Sequence, residues 1–319
     1  MRRHLFAAFV LAAGLLTGCG DDGKPDRTIA FVRTTAITEQ SHEAFLDELA
    51  LAGWKVGDNL TVLLDDPATS LADEDAVAAA VDEIVDEVDL FVALSTAAAA
   101  GTLRVTGELP VLVLANDPVG SGLVENPRSP EANLTGLSFR VPADRTLDVA
   151  RQVIGGRDAV GFLWPGGDVA AEPIVRDMRA AAGNLGVSLI EASFADDADV
   201  ERAVGELAAS GAEVVILANA PGAVRATEAI EAAFTAAGIP VVANTNVNTW
   251  ALAVLAPDNV AAFRQLGRQA VRLLEGSAVN EVPLEDPGEF NLRIRTNVAD
   301  RLSIVLSEEL LEQADQLEE

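Results

Sequence analysis

The sequence predicts an α/β protein made of two lobes of like architecture, each built on a mostly parallel sheet. From Thr28 onward, short β-branched runs alternate with Ala-rich helical stretches, which is the pattern of βαβ units. The alternation restarts after Gly155-Gly156, and hydrophobic cores divide beyond about 250 residues, so two lobes are expected rather than one very large sheet.

In the first series, Ile29-Ala30-Phe31-Val32 reads as a buried strand, 34–41 as a loop, and 43–52 as a helix closed by Gly53. Strands are expected at 60–64, 90–94 and 111–114, with helices over 73–87 and 97–106. Continuous apolar strands of this kind need cover on both faces. The second series places strands at 160–164, 188–192, 214–218 and 241–243, and helices at 170–185, 199–210 and 223–237, the last ending at Gly238. Residues 134–138 and 252–256 read as the crossovers between lobes.

The amino terminus has the layout of a secretory leader. Met1-Arg2-Arg3 precedes an apolar run from Leu5 to Leu16, which is shorter than the ~20 residues a membrane span needs. Leu16-Thr17-Gly18-Cys19 ends that run, and polar residues follow at once. This pattern resembles the lipobox of bacterial lipoproteins, which implies lipidation at Cys19. Cys19 is the only cysteine, so no thiol is left for a disulfide, a thiolate metal site or a cysteine nucleophile.

The formal net charge is −28, and −30 once Arg2 and Arg3 leave with the leader. Nucleic-acid binding needs clustered Lys and Arg against the phosphates, and no such cluster is present. The charge reads as a solvated surface, or as adaptation to a saline exterior. The enzyme classes find little support. His42 is the sole histidine beyond the leader, no Gly-x-Ser-x-Gly elbow occurs, and no Asp-x-Asp loop has EF-hand spacing. A Ser-His-Asp arrangement through His42 stays open. No cofactor is expected.

Several motifs together resemble the type I ABC-transporter substrate-binding proteins of the tryptophan/tyrosine-type group. They are Phe45-Leu46-Asp47-Glu48-Leu49 with Gly53 and Gly57-Asp58-Asn59-Leu60-Thr61, then Asp117-Pro118-Val119-Gly120-Ser121-Gly122-Leu123-Val124 followed by Asn133-Leu134-Thr135-Gly136. Gly267-Arg268-Gln269-Ala270 and the closing Ala299-Asp300-Arg301-Leu302-Ser303-Ile304 fit as well. The resemblance implies two Rossmann-like lobes, the type I periplasmic-binding-protein architecture, closing on a small molecule that is handed to an ABC permease. The division expected is a leader at 1–18, a linker at 19–27, a first lobe of 28–135 plus 253–285, and a second of 136–252 plus 286–319.

Open parallel sheets bind ligands beyond the carboxyl ends of their strands, where helix N-termini present free N–H groups. The candidate binding residues are therefore those at strand ends. Ser95-Thr96 is either an anion-holding loop or a plain helix cap. Thr34-Thr35 stands where the family carries Glu-His, so two hydroxyls replace a charged pair. Asp117 is either an acceptor for a ligand or a turn former. Trp164 is either a stacking platform, worth about 0.5–2 kcal/mol, or interlobe packing. Asn219 and Asn244, with Asn246 nearby, offer uncharged amides. Ala170-Ala171 replaces the family's Asn-Ser, and Ala220 and Thr245 stand where it commonly has aspartates. A buried ammonium needs a carboxylate, so recognition of a free amino acid is in doubt. The expected function is a lipid-anchored, extracytoplasmic substrate-binding protein of an ABC importer. The alternatives are a sensor presenting its closed form to a receptor and, behind it, a hydrolase.

Overall fold

A computed structural model describes residues 24–130, 133–168, 171–245 and 248–318. The leader, Cys19, Ala170 and Asn246 lie outside the described residues.

The first sheet is made of β1 (Arg27–Arg33), β2 (Leu60–Leu63), β3 (Leu90–Leu94), β4 (Val111–Ala115) and β5 (Leu134–Ser138). Their order is β2-β1-β3-β4-β5 and every pairing is parallel. Helices α1 (Glu39–Leu51), α2 (Glu74–Asp82) and α3 (Thr96–Leu103) connect them. Short polar side chains start these helices: Thr38 accepts from Ser41 N, Asp73 from Ala76 N, and Ser95 from Ala98 N. Both faces of the sheet are buried. Ile29, Phe31 and Leu90 face a cluster with Phe45 and Leu49, while Ala30, Val32 and Phe91 face Val77 and Val81. Burying each such aliphatic or aromatic side chain contributes roughly 1.5–3 kcal/mol.

The second lobe follows the same plan. Helix α4 (Ala143–Val153) leads into β6 (Val160–Pro165), α5 (Ala171–Leu185), β7 (Ile190–Phe194), α6 (Val200–Ala209), β8 (Val214–Leu217), α7 (Pro221–Arg225), α8 (Thr227–Ala237), β9 (Val241–Ala243) and β10 (Ala253–Pro257). After α9 (Asn259–Leu274) come β11 (Phe290–Arg295), α10 (Thr296–Arg301), α11 (Glu308–Gln313) and β12 (Gln316–Glu318). The strand order is β12-β11-β10-β9-β8-β6-β7, and within it only β10 and β11 pair antiparallel. The helix expected over 223–237 is broken at Ala226, and Pro221 starts its first piece.

Two corrections concern where the chain changes lobe. Residues 136–138, expected in the second lobe, pair with β4 in the first sheet. Residues 253–257, expected in the first lobe, pair between β9 and β11 in the second. Both stretches are buried along their whole length, so they are strands rather than connectors. Gly136 permits this in β5: its φ is +143°, and a Cβ there would collide with the carbonyl of Val113 on β4.

Polar segments make the actual crossings. The chain passes over at Arg140-Val141-Pro142, returns at Asp258 into α9, and passes over again between Glu285 and Glu289. Helix α9 packs Phe263, Leu266 and Ala270 into the first lobe's core. The crossings are tied side by side. Ser138 N donates to Glu285 O at 2.8 Å, and Asp258 N to Glu289 O at 3.0 Å. Gln265 Nε2 donates to Glu285 Oε2 at 2.7 Å and its Oε1 accepts from Gly288 N at 3.1 Å.

Candidate ligand-binding site

Parallel strands bring the loops after β1, β3 and β4 to one edge of the first lobe, and those after β6, β8 and β9 to one edge of the second. At one rim the two edges touch. A Cβ on Gly120 would stand 2.9 Å from Cγ of Pro173 in α5, and Arg140 Nη1 pairs with Asp177 Oδ2 at 2.7 Å.

At the first lobe's edge, Thr34 and Ser95 are brought together, because Arg33 on β1 is in register with Leu94 on β3. Their hydroxyls lie 2.7 Å apart. Ser95 also caps α3, accepting from Ala98 N at 3.0 Å, so the helix-cap reading holds for it. Its φ of 145° is in a region that side chains rarely adopt, and strain of that kind costs about 1–3 kcal/mol. Thr35 is exposed and Thr96 half-buried as the first helical residue.

Asp117 is a turn former. Its Oδ1 accepts from Gly120 N at 2.8 Å, which shapes the turn that meets Pro173. Asp117 thus shapes the turn whose Gly120 approaches Pro173 of the second lobe.

Trp164 lies one residue inside β6 rather than at its end. Its ring is engaged by protein on the α5 side of the sheet: Phe162 stacks at 5.3 Å between centroids, and the Arg179 guanidinium sits 5.6 Å from the ring centroid. Arg179 is in turn held by Glu191 at 2.7 Å. These contacts favour the packing role for Trp164.

The two asparagines separate. Asn244 turns inward and spends both amide hydrogens on protein, donating to Thr146 Oγ1 and to Leu255 O, each at 3.1 Å. Asn219 is half-buried between the buried Ala218 and Ala220, and its amide meets no hydrogen-bond partner among the described residues. It is thus the predicted amide left available to a ligand. Asp168, in the loop after β6, accepts from Gly222 N at 2.8 Å and holds α7 in place.

Arg33 was not anticipated, and His42 was considered in sequence only as a candidate member of a Ser-His-Asp arrangement. Arg33 continues the buried alternation of Ile29 and Phe31, yet carries a charge and is 3% exposed. It donates to the carbonyls of Thr69 at 2.8 Å, Leu64 at 3.0 Å and Asp66, fixing the loop after β2. His42 Nε2 lies 2.8 Å from Asp65 Oδ1 in the same loop, and its ring packs 4.6 Å from Phe31. Burial pushes the His42 pKa down, and the nearby Arg33 adds to this, against the pull of Asp65. Among the described residues its Nδ1 is buried without a partner, and no hydroxyl there completes a catalytic triad. Among the described residues no group of His, Cys, Asp and Glu is arranged to hold a metal ion.

Two open grooves, of about 480 and 240 Å³, lie elsewhere, at the amino-terminal end of the second sheet around Ile239, Pro240 and Leu302. They converge few polar groups, and Arg157 in the larger one already pairs with Glu213. The facing strand ends therefore form the better candidate.

Comparison with known proteins identifies the family and the fold. A family model described as ABC transporter substrate binding protein matches residues 28–318. A tyrosine-binding protein of Clostridioides difficile (strain R20291) is 22% identical over 318 residues, covering 94% of this chain and 91% of that protein. Among solved structures, a ligand-free, open substrate binding protein with adhesive properties from Clostridium difficile is similar with a TM-score of 0.78 and 19% identity, over 92% of this chain and 99% of the other. A Streptococcus pneumonia ABC domain in complex with L-Trp has a TM-score of 0.72 and 20% identity, with the same coverage.

Proposed function

The chain belongs to the ABC transporter substrate-binding protein family, and from that membership we propose that it is the lipid-anchored capture component of an ABC importer. The family consists of extracytoplasmic binding proteins, not enzymes. The carrying observation is the set of uncharged polar groups at the facing strand ends: the Thr34–Ser95 hydroxyl pair at the N-terminus of α3, and the Asn219 amide opposite. Such a set suits a small polar or aromatic, amino-acid-like compound. Relatives support that class, one being a tyrosine-binding protein and another holding L-Trp.

Ligand specificity differs from theirs in this reading. A ligand ammonium needs a desolvated carboxylate or several acceptors. The nearby carboxylates of Asp117 and Asp168 are engaged by Gly120 N and Gly222 N. Recognition therefore leans on hydroxyl, amide and backbone N–H groups, and an uncharged or acid-bearing aromatic compound fits better than a free zwitterion. Capture proceeds by rotation of the lobes about the three crossings, and the closed form meets the permease. Cys19 is the acylated residue that holds the mature protein at the membrane surface.

The deciding experiment is mass spectrometry of small molecules released from the purified protein, followed by thermal-shift titration with tyrosine, tryptophan and their deaminated analogues. Stabilisation by an aromatic compound, lost in Asn219→Ala, supports the assignment. Equal responses in Asn219→Ala and the unaltered protein show the ligand to be placed wrongly.

A further inference from the structure

The beginning of the described chain is pinned at one corner. Lys24 Nζ lies 2.6 Å from Glu275 Oε1 and 4.1 Å from the Trp54 ring centroid. The Trp54 indole, 1% exposed, donates to Pro25 O at 3.2 Å. This fixes Lys24 and Pro25, the first described residues, to the turn between α1 and β2, at the end of the first lobe opposite the strand carboxyl edge.

That same turn carries Leu51, 83% exposed, and Val56, 53% exposed. Lys55 sits between them, exposed, with no ion-pair partner among the described residues. Lys24 and Lys55 are the only lysines in a chain of net charge −28. Glu275 offsets Lys24, and Asp26 and Asp58 flank the two lysines. The groups named here sum to −1, against −28 for the whole chain, and Lys55 is the cation among them with no ion-pair partner in the described residues. A single exposed apolar residue needs no explanation. Two of them, together with both lysines and the first described residues, do.

We propose that this corner rests on the lipid surface, with Leu51 and Val56 entering the headgroup region and Lys55 meeting anionic headgroups. The inference builds on the reading of Cys19 as the acylated residue. Cys19 precedes Lys24 by five positions, and five residues span at most about 18 Å, so the anchor reaches this corner and not the far lobe. Apolar side chains and lysines at an interface are what a bilayer surface accepts, each cation contributing where the lipid is anionic. The first lobe then rests on the membrane while the protein is away from the permease.

The test uses the full chain, acylated in its host and reconstituted in phosphatidylcholine vesicles with and without phosphatidylglycerol. Because acylation consumes the Cys19 thiol, Leu51→Cys and Val305→Cys each supply a unique labelling site, the second on the 95% exposed Val305 of the other lobe. Spin-labelled lipid is expected to quench a fluorophore at 51 several-fold more than one at 305. Lys55→Gln should weaken the corner-down equilibrium about fivefold in the phosphatidylglycerol vesicles. Equal quenching at the two sites, with the protein still floating on the vesicles, overturns the inference and leaves the anchor intact. A protein that fails to float overturns both.

Discussion

The hydroxyls of Thr34 and Ser95 lie 2.7 Å apart and join the carboxyl ends of β1 and β3 at the mouth of the cleft. Ser95 does this while holding a φ of 145°. Replacing it with Ala removes the cap on α3 and should cost about 1 kcal/mol. Ser95→Gly loses the same cap but relieves the backbone, so its unfolding midpoint should match or exceed the wild type's, while its ligand affinity falls. Urea denaturation and titration calorimetry on the two variants check this.

The two asparagines should respond oppositely. Asn244→Ala leaves Leu255 O without its side-chain donor and takes a partner from Thr146 Oγ1, and is expected to cost about 1–3 kcal/mol of stability. Asn219→Ala leaves no protein group unpaired, so its stability should stay within about 0.5 kcal/mol of the wild type, with the loss confined to binding. Denaturation midpoints for the apo forms distinguish them.

Gly136→Ala places a methyl group against the Val113 carbonyl at a φ of +143°. The expected result is a loss of more than about 3 kcal/mol, visible as a drop in the thermal midpoint or as failure to fold. Gly183→Ala, on the open face of α5, is the control and should be neutral or slightly stabilising.

Trp164→Ala should destabilise the second lobe, since Phe162 and Arg179 lose their contact with the ring. A loss of about 1–3 kcal/mol is expected, largely recovered by Trp164→Phe. If ligand affinity falls only in proportion to unfolded protein, the packing role stands. A fall beyond that restores the ring to the ligand.

His42 sets an acid limit on stability. Its folded pKa is held below the ordinary 6.5, so the unfolded chain binds the proton more readily. The associated stability is present above pH 6.5 and declines as the pH falls from there toward the folded value. His42→Gln should flatten that part of a urea-midpoint profile. A separate decline, through Asp199, begins below its ordinary 3.8, because Arg202 lowers its carboxyl to about 2.

Most of the fold was legible because its strands are continuous apolar runs separated by helices with clear caps. The alternation of Ile29, Phe31 and their neighbours, and the stops at Gly53 and Gly238, carried the architecture. The lobe boundaries were less legible. Residues 134–138 and 253–257 are strands that stop just short of a crossing, and sequence cannot show which sheet completes a strand's hydrogen bonds. Among the candidate site residues, the register of β1 and β3 brought Thr34 and Ser95 together as strand-end reasoning implied. Asn244 was read as free, and Asp117 was left between ligand acceptor and turn former, because sequence gives position along a strand and not the direction of a side chain. Arg33 carried a usable signal, a charge in the buried phase of an apolar strand, which calls for acceptors nearby.

Three parallel ribbons of chain, at Arg140, Asp258 and Glu285–Glu289, are stitched to one another by Gln265 and by backbone pairs. Like a door on three knuckles, such a joint leaves one easy axis and resists sliding or twisting. Lobes turning on such a joint would follow nearly one path, so that every ligand would meet the same pair of walls in the same alignment.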